Sequence, residues 1–127
     1  MEKTRRKFIK TGSLAFLGMA GLASAAHHEG MFVHVFLFKF KPEVPEDEIA
    51  DLMKQLAGLK EKIPVLKEYL IGKDTSGRNQ GYHYAQVSFF EKEEDLQVYE
   101  KHPEHRKLVK QIGPKMVGGL AMDFTPL

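Results

Sequence analysis

Phe32-Val33-His34-Val35-Phe36-Leu37-Phe38-Lys39-Phe40-Lys41 is built almost wholly from β-branched and aromatic residues, the composition of a β-strand. Alternation puts Phe32, His34, Phe36, Phe38 and Phe40 on one face and Val33, Val35 and Leu37 on the other, ahead of the lysines. Neither face is polar, so both need cover. A chain of 127 residues has room for one domain, with helices enough to cover one side of one sheet. The second side is therefore expected against another copy of the chain, which makes the protein a homodimer.

Downstream, Pro42 and Pro45 mark a turn, and Glu46-Asp47-Glu48 place negative charge where a helix dipole favours it. Ile49, Leu52, Met53, Leu56, Leu59 and Ile63 then trace one helical stripe, which Pro64 ends. Leu66 to Lys73 reads as a second strand, residues 74–81 as a surface loop, and Tyr82 to Glu91 as a third strand. That third strand carries Tyr84, Gln86 and Ser88 on one face and Ala85, Val87 and Phe89 on the other. Buried mid-strand, Gln86 and Ser88 need hydrogen-bond partners, which implies a partly polar cavity or a hydrated interface. A second helix starts near Glu93. Pro103 biases His102 away from helical angles, so this helix should break there and a new one begin at Pro103. Gly118 to Thr125 forms a last strand. The order β-α-β-β-α-β is that of the ferredoxin-like α+β sandwich, an antiparallel sheet with two helices on one face.

Upstream, Thr4-Arg5-Arg6-Lys7-Phe8-Ile9-Lys10 is a twin-arginine export motif, followed by an apolar run over residues 14–22 and small residues over 23–26. The run is well short of the about 20 residues a membrane span needs. Residues 1–25 are read as a twin-arginine (Tat) signal peptide, 26–31 as a flexible leader containing His27 and His28, and 32–127 as the domain. A periplasmic or other extracytoplasmic location follows, with membrane contact only through the signal segment. Residues 1–25 hold five of the nineteen Lys and Arg and one of the seventeen Asp and Glu, so the remainder carries 14 basic and 16 acidic side chains. The overall excess of positive charge is thus the leader's, and no nucleic-acid partner is expected. The chain has no cysteine, which excludes disulfides, thiol catalysis and cysteine-held zinc or iron–sulfur centres.

The polar groups expected to face inward or to rim a cavity are His34, Tyr84, Gln86, Tyr99, His105 and Asp123. His105 precedes Leu108, Val109 and Ile112 by three, four and seven positions, which puts its imidazole on the apolar stripe of the last helix. No nucleophilic Ser or Cys motif and no glycine-rich phosphate loop is present. Histidine and tyrosine without a nucleophile suit proton shuttling beside a carbonyl, the imidazole taking a proton and the phenol bonding to developing oxyanion charge. Without further context, a histidine at a core edge is more often a packed, satisfied core residue than an acid/base group.

Met31 to Phe124 resembles the stress-responsive dimeric α/β-barrel (Dabb) family. The similarity lies in His34-Val35-Phe36-Leu37-Phe38-Lys39-Phe40, Lys62-Ile63-Pro64, Gly72-Lys73-Asp74, Gly81-Tyr82-His83-Tyr84, Tyr99-x-x-His102-Pro103-x-His105 and Met122-Asp123-Phe124. The resemblance implies two ferredoxin-like protomers packed sheet to sheet into a dimeric α/β barrel. Among the family, plant polyketide cyclases of the olivetolic acid cyclase type close a linear polyketide by aldol chemistry with no metal and no cofactor. By position that likeness implies His105 as the catalytic histidine with Tyr99 assisting, His34 as the pocket-lining histidine of the first strand and Asp123 as the acidic residue of the last; Tyr84 and Gln86, from the strand pattern above, are expected to bind ligand beside them. The expectation is an exported homodimer that binds a modest hydrophobic ligand, with cofactor-free cyclase- or lyase-like chemistry. A non-enzymatic stress-response or accessory protein is the alternative, and a haem or metal protein a further one.

Overall fold

The computed structural model describes residues 28–127; the signal-peptide reading of residues 1–25 lies outside them. Among the described residues there are four strands: β1 (Phe32–Phe40), β2 (Glu68–Lys73), β3 (Tyr84–Phe90) and β4 (Met116–Phe124). Three helices accompany them: α1 (Glu46–Ala57), α2 (Glu94–Lys101) and α3 (Pro103–Ile112). The sheet runs β2-β3-β1-β4 with every neighbour antiparallel, so the fold is the expected ferredoxin-like sandwich with the second helix in two pieces.

All three helices lie on one side of the sheet, and the sequence accounts for which side. α1 buries Ile49, Leu52, Met53 and Leu56, and the turn that follows adds Leu59 and Ile63. These meet Phe32, Phe38, Tyr84 and Phe90 from the sheet's inner face, and Tyr99, Leu108 and Ile112 from α2 and α3. Burial of several side chains of this size, at about 1.5–3 kcal/mol each, is what holds the helices down. The opposite face stays open: Leu70 is 57% exposed, Leu120 51% and Met122 65%. β1 therefore has one apolar side within the core and a second that continues across an uncovered, apolar sheet.

His102 takes an extended conformation (φ −62°, ψ 135°) between α2 and α3. Its Nδ1 accepts a hydrogen bond from the Glu104 amide at 3.1 Å, which makes it the side-chain cap of α3, with Pro103 at the first helical position. Replacing His102 with Ala is expected to cost about 1 kcal/mol, read as a lower urea midpoint at unchanged slope.

Three local expectations are revised. The leader is not loose throughout: His28 pairs with Glu68 and stacks on Phe89 with ring centroids 4.6 Å apart, and the Met31 amide donates to the His28 carbonyl. β4 begins at Met116 rather than Gly118, because its register shifts by a bulge between Lys39 and Phe40. Val109, placed on the inward stripe of α3 by periodicity, is 48% exposed, since α3 leaves an opening over the sheet at that point.

Candidate functional site

The opening under α3 is the mouth of a cavity of about 240 Å³ between sheet and helices. The strand register sets its floor. His34 lies between Ser88 and Asp123, and two residues along, Phe36 lies between Gln86 and Ala121. His34, Phe36, Gln86 and Ala121 all line the cavity, and Tyr69 joins them from β2. The roof is Tyr99 from α2 with His105, Val109 and Ile112 from α3.

The break at His102 brings the two roof groups together. Residues six apart on an unbroken helix would lie about 240° apart around the axis, on different faces. With the chain redirected at His102, the Tyr99 and His105 rings stand 4.3 Å apart between centroids. The Tyr99 ring centroid is also 6.3 Å from that of His34, so Tyr99 neighbours both imidazoles.

His105 Nδ1 is 3.0 Å from the Glu100 carbonyl oxygen. A carbonyl only accepts, so Nδ1 carries the hydrogen and the lone pair of the neutral ring is on Nε2. Burial lowers the His105 pKa from its ordinary value, with repulsion from His34 and His102 in the same direction and the Glu100 contacts opposing. The ring is therefore held neutral over a wider pH range and available as a base. His34 uses its Nδ1 against the Asp123 carboxylate, which likewise leaves Nε2 as the acceptor of its neutral form. Burial pushes the Tyr99 hydroxyl up to about 12, so at neutral pH it is a donor, not a phenolate.

Of the residues singled out from the sequence, the fold thus gathers His34, Gln86, Tyr99 and His105 at one cavity. Asp123 reaches it only through His34. Tyr84 does not take part: its hydroxyl donates to Glu46, which also holds Lys73, in a cluster that ties the start of α1 to β2. Those two bonds hold the Glu46 carboxyl below its usual range. Gln86 and Ser88 satisfy each other: with its amide oxygen toward Ser88, Gln86 accepts from the Ser88 amide and hydroxyl at 2.9 Å each, leaving its NH₂ as a donor.

Sequence reasoning passed over Tyr69. Its hydroxyl is 3.3 Å from that of Tyr99. The period-2 pattern of β2 carried the signal, since Tyr69 and Ile71 alternate with the outward Leu70. Among the described residues, no three His, Asp or Glu side chains are grouped to hold a metal ion.

Residues 32–126 match the family model described as the stress responsive A/B barrel domain. The chain is 33% identical over 100 residues to the stress-response A/B barrel domain-containing protein HS1 of Arabidopsis thaliana, covering 77% of this chain and 92% of that protein. It is 34% identical over 98 residues to olivetolic acid cyclase of Cannabis sativa, covering 73% and 94%. Among solved structures it is similar to a dimeric ferredoxin-like protein of unknown function from Thermobifida fusca, at 28% identity and a TM-score of 0.68, covering 77% of this chain and 92% of that one.

Proposed function

The chain belongs to the stress-responsive A/B barrel domain family, and on that premise we propose that it is a homodimer whose cavity binds a small, uncharged hydrophobic carbonyl compound and moves a proton on it without a cofactor. The observation that carries the reading is the meeting of the His105 imidazole, whose pKa burial lowers, with a protonated Tyr99 over a floor that mixes Phe36 and Ala121 with His34 and Gln86. Phe36, Phe38, Leu56 and Ile112 provide the apolar wall, and no Lys or Arg is among the lining residues to pair with a carboxylate or phosphate. At about 240 Å³ the site is below the usual range of ligand pockets, roughly 300–1,000 Å³, and suits a small ligand.

His105 Nε2 removes a proton from the carbon next to a carbonyl, and the Tyr99 hydroxyl donates to the carbonyl oxygen as it gains negative charge. The enolate carbon then attacks a second carbonyl of the same molecule, and the new alkoxide takes the proton back from the His105 imidazolium. Bond by bond this is an intramolecular aldol closure, a cyclase-type reaction in line with the likeness to olivetolic acid cyclase. Dimerisation through the open sheet face is part of the same reading, supported by its exposed apolar residues and by the dimeric neighbour of like fold. So is export, which the Arg5-Arg6 pair and the apolar run after it support.

The direct test is binding of nonane-2,4-dione, an uncharged alkyl 1,3-diketone, against octanoate, by ligand-detected NMR. The diketone is expected to bind at least ten-fold more tightly. Tyr99→Phe is expected to weaken it about three- to ten-fold, the loss of one neutral hydrogen bond. Equal binding of octanoate, or no binding of the diketone, refutes the assignment of ligand class.

A further inference from the structure

Tyr69 stands against Tyr99 with hydroxyl oxygens 3.3 Å apart and ring centroids 6.2 Å apart. Two phenols share one bond but own two protons, so the oxygen that accepts keeps its proton for something else. Tyr99 neighbours both the His34 and His105 rings and lines the same cavity, so a ligand held there can present its oxygen to it. Tyr69 comes from β2, toward the other edge of the same cavity.

We propose that Tyr69 is a positioning residue for the cavity's chemistry: its hydroxyl donates to the Tyr99 oxygen, which fixes the Tyr99 proton on the ligand's carbonyl and strengthens it as a donor. The inference rests on the cavity being the site assigned above. A phenol that accepts a hydrogen bond while donating one is a better donor, because the two bonds polarise each other. As charge grows on the ligand oxygen the chain Tyr69 to Tyr99 to oxyanion tightens along its length, so the pair favours the transition state over the bound ground state. The acid–base balance of the two phenols runs the same way. Burial raises both phenols; their mutual bond adds to that rise at Tyr69 and opposes it at Tyr99, so Tyr69 keeps its proton and Tyr99 is the readier donor.

Two measurements decide it. In the first, a fluorotyrosine placed at position 99 lowers that phenol's titration into a range where the fold is stable, and ¹⁹F NMR follows it in the full chain. Tyr69→Phe removes a donor to the phenolate, so the titration is expected to move up by roughly one pH unit. An unchanged or lower value overturns the proposal. In the second, deuterium exchange at C3 of nonane-2,4-dione is measured above the buffer rate. Tyr69→Phe is expected to lower kcat about three- to ten-fold with little change in KM, and to have no further effect in a Tyr99→Phe background. An equal loss in both backgrounds overturns the proposal, because Tyr69 would then act independently of Tyr99. If the wild-type chain catalyses no exchange, the functional reading fails, while the titration still decides whether the Tyr69 hydroxyl serves the Tyr99 oxygen as a donor.

Discussion

A glutamate at position 120 is expected to convert the dimer into monomers. Leu120 lies midway along β4, an edge strand of the open apolar face, directly opposite Leu37, and is 51% exposed in the protomer. In a protomer alone, Leu120→Glu puts a carboxylate into water at little cost. In a two-fold dimer packed through this face, each copy would bury an unpaired charge in the same interface, at several kcal/mol per ion. Light scattering after size exclusion should show the wild-type mass fall by half, with the far-ultraviolet circular dichroism preserved. Retention of the dimer mass in the variant would show that the sheet face is not the interface. A monomeric wild type would remove the dimer from the proposed function altogether.

His105→Ala carries the second large effect. Loss of a positioned general base costs about 10²- to 10⁴-fold, and that loss is expected in the diketone exchange rate. Stability should hardly change, because His105 is half-buried at a cavity mouth and its one hydrogen bond is to a helix-end carbonyl. A drop in stability of about 1–3 kcal/mol would instead fit a satisfied structural histidine. The pH dependence has a definite sign. The folded-state pKa of His105 lies below its ordinary value, so the active, neutral form is lost only as pH falls through that lowered pKa. Exchange should therefore rise with pH to a plateau reached at lower pH than an unperturbed histidine would give. The linked effect on stability follows. The unfolded chain binds this proton more tightly than the folded one, so the stability His105 contributes is complete above the unfolded pKa of about 6.5. It is lost progressively as pH falls through the folded value, and His105→Ala should flatten that part of the stability profile.

The parts of the molecule legible in the sequence are those fixed by neighbours along the chain. Period-2 alternation placed Gln86 and Ser88 inward on β3, and they are inward, the Gln86 amide oxygen accepting from the Ser88 amide and hydroxyl. The apolar spacing of α1 identified its buried stripe residue by residue. Pro103 announced a broken helix through its fixed φ and missing N–H, and His102 became the cap that the break required. Tyr84 shows where such reasoning stops. Its inward face was right, but the side chain is long, and Glu46, thirty-eight positions away, captured its hydroxyl outside the cavity.

By itself, then, the sequence determined the order of elements, the two apolar faces of β1 and the site of the helix break, since backbone sterics and side-chain periodicity act over a few residues. Only the tertiary structure decided that Tyr99 and His105 meet across that break, that His34 faces them with Asp123 behind it, and that Tyr69 stands against Tyr99. Those contacts join residues on different elements. They are set by how α2 and α3 pack over the sheet, a balance of burial summed over the whole core that no local pattern encodes.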